Sequence, residues 1–162
     1  MVTRYATTND IPEIVRVINA AFRVEDFFVN GDRTNERDIT LRMADPDVRF
    51  LVVDVEDAGA LAGTVIVDVH DHRGHFAMLS VDPPLQGRGI ARALMNAVEE
   101  YCRDLGCDSL ELDVVNLREE LPAFYEAMGF TPVDTAPFPD LSKLRRDAHM
   151  VRMTKNLKTH AG

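Results

Sequence analysis

Two hydrophobic rhythms share this chain. Over residues 11–22 the apolar positions Ile11, Ile14, Val15, Ile18, Ala21 and Phe22 recur every three or four residues, the spacing of one helix face. Asn9 or Asp10 can cap that helix, and Pro12 is tolerated in its first turn. From Arg49 the rhythm changes to that of strands. Arg49–Val55, Leu61–His70 and His75–Val81 are rich in valine, isoleucine and phenylalanine, and polar segments, Glu56–Ala60 and Asp71–Gly74, separate them as hairpin turns. Helical spacing returns over Arg88–Leu105, where Ile90, Ala91, Leu94, Val98, Cys102 and Leu105 fall close to one face. Leu110, Leu112 and Val114 then alternate with Glu111 and Asp113, giving a strand with one buried face. Val2–Ala6, Phe130–Asp134 and Ala148–Thr154 complete the strands; Arg37–Ala44 and Glu119–Met128 are short helices, the second stopped by Gly129. The predicted order is β-α-α-β-β-β-α-β-α-β-β, an α/β fold with a mixed, mostly antiparallel central sheet flanked by helices.

The join between the third long strand and the long helix carries chemistry. Leu79-Ser80-Val81 is followed by Asp82-Pro83-Pro84 and then by Gln86-Gly87-Arg88-Gly89-Ile90-Ala91. Gly87 and Gly89 allow positive φ and a close backbone approach to a ligand. The first N–H groups of the helix have no partner within it and sit at its positive end, a setting that suits phosphate or pyrophosphate. A dinucleotide fingerprint would need a third small residue where Arg92 stands, and no Gly-Lys-Ser/Thr triplet forms a nucleoside-triphosphate loop.

Composition narrows the setting. The chain has 162 residues, 46% hydrophobic and 28% charged, as expected of one soluble domain spanning residues 1–162. No apolar run approaches a membrane span and no signal-peptide core is visible at the N-terminus, so a cytoplasmic protein with no membrane partner is expected. Cys102 and Cys107 read as two reduced, semi-buried thiols. The net charge is −9, yet residues 141–162 hold Lys143, Arg145, Arg146, Arg152, Lys155 and Lys158 against Asp147 alone. The strongly acidic remainder argues against nucleic-acid binding and is compatible with a cationic or amine substrate. His70, His72 and His75 straddle a turn without the partners a zinc set needs, so no metal is expected.

The order Gln86-x-x-Gly89-x-Ala91 resembles the Q/R-x-x-G-x-G/A signature of the GNAT superfamily of N-acetyltransferases. Downstream, Leu112-x-Val114-x-Asn116 followed by Tyr125-Glu126-Ala127-Met128-Gly129-Phe130 is similar to the closing strand and helix of that superfamily; together the motifs cover about residues 75–135. The resemblance implies transfer of an acetyl group from acetyl-CoA to a primary amine by direct attack. It assigns the pyrophosphate to Gln86, Gly87, Arg88, Gly89, Ile90 and Ala91, and the pantetheine arm to the backbone of Leu79, Ser80 and Val81, with contacts from Asn116 and Tyr125. Tyr125 stands where the family places its general acid, and a phenol with a pKa near ~10 keeps its proton at neutral pH. Asn116 pairs with the arm, positions a water or simply ends its strand. Relatives often carry a glutamate on the cofactor strand, where this chain reads His75-Phe76-Ala77-Met78-Leu79. His75 is then the candidate base, with Asp68 or His70 acting through water as alternatives.

Residues 24–37 fall where the family builds its acceptor wall. Glu25, Asp26 and Asp32 suit a cation and Phe27 and Phe28 an apolar slot, while Arg33 suits a carboxylate. The run 116–121 and the segment 135–139 look like a small-molecule subset of the family. The missing strand glutamate leaves a second reading open, a non-catalytic acyl-CoA sensor on the same fold. A homodimer is also left open.

Overall fold

The structure, a computed structural model, describes residues 1–56 and 58–158. Strand β1 (Thr3–Tyr5) leads into helix α1 (Ile11–Phe22) and, after a long loop, α2 (Glu36–Met43). Strands β2 (Val48–Asp54), β3 (Leu61–His70) and β4 (Arg73–Val81) form antiparallel hairpins. Helix α3 (Ile90–Asp104) crosses to β5 (Ser109–Val115), and α4 (Glu120–Glu126) to β6 (Thr131–Pro137) and β7 (His149–Asn156). The helix and strand order is the expected one. One seven-stranded sheet runs β1-β2-β3-β4-β5-β7-β6, antiparallel everywhere except at β4 and β5.

Each sheet face has its own core. Helix α3 lays Ile90, Leu94, Met95, Val98 and Cys102 over one face, against Val65, Val67, Phe76, Leu110 and Leu112. Helix α1 lays Ile11, Ile14, Val17 and Ile18 over the other, against Phe50, Val52, Ile66 and Met78. Strand β3 lies between the two helices, and Leu61–Val67 are all buried, the continuous apolar run of a strand covered on both sides.

The departures from expectation lie at element ends. The β3–β4 hairpin turn is tighter than the polar segment 71–74 suggests: Asp71 and His72 alone make it, both with positive φ, so β4 starts at Arg73. Leu105 follows the last turn of α3 and is exposed, while Met95, outside the expected stripe, is buried. Asp10 does not cap α1 with its side chain. Its carboxylate instead accepts the Thr7 N–H at 2.8 Å and two hydrogen bonds from Arg4. Cys102 and Cys107 are buried free thiols, as expected.

Gly63 fixes how closely α3 can approach β3. A Cβ there would lie 2.8 Å from Ile90 Cγ2 and 3.0 Å from both Leu94 Cδ1 and the Ser80 carbonyl oxygen. The Ile90 and Leu94 side chains would have to move off, lifting the start of α3, while the Ser80 backbone on β4 blocks the other way out. Gly63→Ala is therefore expected to lower stability by about 1–3 kcal/mol in urea denaturation, and an unchanged midpoint would show that α3 is not seated on this glycine.

Candidate active site

Strands β4 and β5 are paired for three residues only, Arg73 with Ser109, Gly74 with Leu110 and His75 with Glu111. Beyond His75 they part. On its other edge β4 stays with β3, but through a bulge in which Met78 and Leu79 face Val65 alone. Met78 takes φ 54°, a conformation that costs a side-chain-bearing residue of the order of 1–3 kcal/mol. The bulge turns β4 away from β5, whose seven residues pair in unbroken register with β7. The backbone edge of Phe76–Val81 that faces the gap therefore has no strand partner.

The glycine turn lies just beyond the end of β4. Gly87 and Gly89 have φ of 81° and 82°, and Gly89 caps α3 with its Cβ position open to solvent. No acidic residue occupies the first turn of α3, so its positive end is uncompensated. Gln86 donates from Nε2 to the Val81 carbonyl at 3.3 Å, which ties the turn back to β4. Arg88 and Arg92 are exposed beside it, and among the described residues neither has a carboxylate within 4.0 Å. Leu79, Val81 and the 86–91 turn thus follow one another from the end of β4 to the start of α3. Ser80 contributes backbone alone, since its side chain is buried and donates to the Met78 carbonyl at 3.0 Å.

A cleft of about 380 Å³ occupies the gap, with His75, Phe76, Ala77, Met78 and Leu79 on one side and Leu112–Val115 on the other. Tyr125 comes to it from α4, its ring packed against Phe76 and Phe130 with centroids 5.9 Å apart in each case. The residue is 5% exposed. Its hydroxyl bonds to no described residue, yet no buried side-chain polar atom is left without a partner; the hydroxyl therefore opens into the cleft. Burial pushes the phenol above its ordinary pKa, with Arg118 pulling weakly the other way.

His75 sits where β4 leaves β5. Its Nδ1 lies 3.4 Å from Asp68 Oδ1, and its Nε2 lies 3.8 Å from Asp113 Oδ2. The hydrogen bond with Asp68 raises the imidazole pKa above 6.5, more than desolvation lowers it. His70 is 3.2 Å from the same carboxylate but faces solvent at the hairpin end, outside the cleft.

Comparisons with known proteins bear on the family and the fold. Residues 13–130 match the model of the Acetyltransferase (GNAT) family. The chain belongs to that family. A mycothiol acetyltransferase of Propionibacterium freudenreichii is 35% identical over 133 residues, 78% of this chain and 42% of that protein. Another, from Beutenbergia cavernae, is 41% identical over 90 residues, 55% of this chain and 30% of that protein. The chain thus matches less than half the length of these curated relatives. The Escherichia coli ribosomal-protein-S18-alanine N-acetyltransferase has the same fold, with a TM-score of 0.78 at 17% identity over 99% of this chain and 96% of that one. So does yncA of Salmonella typhimurium, whose structure contains its cofactor acetyl-CoA, with a TM-score of 0.76 at 19% identity over 99% and 96%.

Not every expected residue of this GNAT-family chain reaches the cleft. Asn116 does not line it. Its Oδ1 accepts the His149 N–H at 2.9 Å and its own N–H donates to the His149 carbonyl, so it locks the end of the β5–β7 pair. Glu25 is not free to hold a cation: it is buried and receives Arg118 Nη1 at 3.0 Å. Asp32 is taken by Arg23. Phe28 is fully buried and anchors its loop rather than shaping a slot, and Phe27 packs edge-on against it beneath Arg146.

The sequence reading missed Arg118 and Lys143 as cleft residues. Arg118 meets Glu25 across 93 positions, a pairing that no local pattern announces. Lys143 arrives because Val29 and Leu144 form a β-bridge, with Asn30 N–H donating to the Lys143 carbonyl at 2.9 Å and Arg145 N–H to the Phe28 carbonyl at 2.7 Å. Among the described residues no cluster of three or more metal-binding side chains occurs, and no helix is long and apolar enough to cross a membrane.

The Asp68 contact makes a pH prediction. A raised native pKa keeps His75 charged to higher pH than a free imidazole, so neutral imidazole appears only as pH climbs past the ordinary value. In NMR titration His75 is expected to titrate above 6.5, and Asp68→Asn to move its midpoint down; an unmoved midpoint would assign the shift to another group.

Proposed function

We propose that the protein is an N-acetyltransferase that moves the acetyl group of acetyl-CoA to the primary amine of a small molecule by direct attack, with Tyr125 as general acid. The observation that carries this reading is the unpartnered Tyr125 hydroxyl, opening into a cleft between two parted strands. Family membership and the relatives named mycothiol acetyltransferase support it.

The residues present fit such a cosubstrate. The free edge of β4 at Leu79 and Val81 offers amides and carbonyls to the pantetheine arm. The N–H groups at Gly87–Ala91 and the guanidinium of Arg88 offer donors to its phosphates. A thioester supplies an acyl carbon open to an amine and a thiolate leaving group. As the C–N bond forms and the C–S bond breaks, His75 takes the amine proton, directly or through water. Tyr125 gives its own proton to the departing sulfur. Asp68 keeps the imidazole oriented and disperses the charge it acquires. Asn116 acts at a distance here, by fixing the end of β5 beside the cleft.

Tyr125→Phe keeps the ring packing and removes the donor. It should lower kcat by about 10- to 1000-fold, with a small effect on the KM for acetyl-CoA, since positioning survives. CoA release followed with a thiol reagent across an amine panel measures this, and wild-type kcat in a folded Tyr125→Phe variant would return the tyrosine to a packing role. Gly89→Asp places a carboxylate at the positive end of α3. Calorimetry should then show Kd for CoA raised by well over about tenfold in a protein with an unchanged circular dichroism spectrum. Unchanged affinity would move the phosphate site elsewhere.

A further inference from the structure

Two cations on the acceptor side of the cleft have no carboxylate partner among the described residues. Arg33, on the loop between α1 and α2, lines the cleft with His75 and Tyr125. Among the described residues it has no carboxylate within 4.0 Å. The acidic groups nearby are engaged. Glu25 holds Arg118 at 3.0 Å, Arg23 holds Asp32, Arg152 holds Asp113 at 3.1 Å, and Asp140 accepts the Ser142 N–H at 3.1 Å. Lys143, on the facing loop, likewise lacks a carboxylate within 4.0 Å among the described residues.

Arg33 is also held in place. Asn19, on α1, clamps the next residue from both sides, accepting the Thr34 N–H and donating to the Thr34 carbonyl, each at 3.0 Å. Thr34 Oγ1 donates to Asp38 at 2.6 Å, fastening the loop to α2. The Arg33 guanidinium lies over the Phe22 ring, 5.4 Å from its centroid, a stacking that orients its plane. The side chain remains exposed where it lines the cleft, and a guanidinium is charged at any physiological pH. A guanidinium oriented over a ring with its donors unused can receive a carboxylate, whose two oxygens match it bidentately.

We propose that Arg33 binds a carboxylate on the acceptor, with Lys143 adding charge, so that the acceptor is a compact amino acid whose amine points toward His75 and Tyr125. This rests on the reading of the cleft as the acceptor side of an acetyltransferase. The Val29–Leu144 bridge joins the two loops that wall this side. The cleft of about 380 Å³ must also hold the end of the acyl arm, which leaves space for an amino acid rather than a folded polypeptide surface. Purely cationic amines would meet Arg33 and Lys143 as like charges, and so the carboxylate is what distinguishes the proposed acceptor.

The test separates anion recognition from catalysis. Wild-type protein, alone and saturated with CoA, is titrated calorimetrically with a panel of N-acetyl amino acids and with the matching N-acetyl amino acid amides. At least one acid is expected to bind about 10- to 100-fold tighter than its amide, the range of a charge-assisted hydrogen bond pair. Arg33→Met should bring acid and amide to equal affinity while CoA affinity stays at its wild-type value, and Arg33→Lys should keep part of the preference. Equal binding of acids and amides to wild type, no binding of either, or an undiminished preference in Arg33→Met overturns the proposal. If acids bind in an Arg33-dependent way but CoA does not bind, the carboxylate site stands and the acetyltransferase reading falls.

Discussion

Strand β4 cannot serve two neighbours along its whole length. It keeps β3 as a partner through the bulge at Met78, and in doing so it abandons β5 after His75. The cleft follows from that parting. It leaves a row of backbone donors and acceptors facing a gap, makes room for Tyr125 to reach in from α4, and aims the end of β4 at the glycine turn. Within each half of the sheet, β1–β4 and β5-β7-β6, the strands stay paired. The opening therefore leaves unpaired backbone groups along the gap alone and carries the strain of one residue with positive φ.

The glycine turn and the cleft divide the work between backbone and side chain. At the turn, what is offered to an anion is amide groups and a helix end, so the glycines carry that part of the proposal. In the cleft the proposed chemistry belongs to side chains, and the fold brings them from distant places. His75 comes from the vertex of the parted strands, Tyr125 from α4, Arg33 from the first long loop and Lys143 from the last. Buried Glu25 and Arg118 neutralise each other between two of these segments. Removing either would leave a desolvated charge, so the pair holds the loop against α4 more firmly than an exposed pair would.

What could be read from the chain was whatever had a local rhythm. The α3 stripe, the doubly buried run of β3 and the Gln86–Ala91 turn are each written within about twenty residues, and their spacing reports the period of the element. Leu61–His70 matches its strand to the residue. Tyr125 and the turn were legible because they sit in short motifs with a familiar order. Arg118 and Lys143 were not, because their places depend on a 93-residue ion pair and on a bridge between loops. Asn116 was ambiguous for a different reason. An asparagine after a strand carries the same letter whether its amide serves a ligand or, as here, the backbone of a neighbouring strand. The bulge at Met78 left no trace either, since methionine is no marker of positive φ.

The bridge between Val29 and Leu144 has a dynamic consequence. It rests on two flanking backbone hydrogen bonds, Asn30 to Lys143 and Arg145 to Phe28, each worth about 1 kcal/mol net. A clasp of that strength opens by local fluctuation far more readily than the paired strands of the sheet come apart. The width of this side of the cleft is thus governed by peptide groups that lie more than a hundred residues apart in the chain.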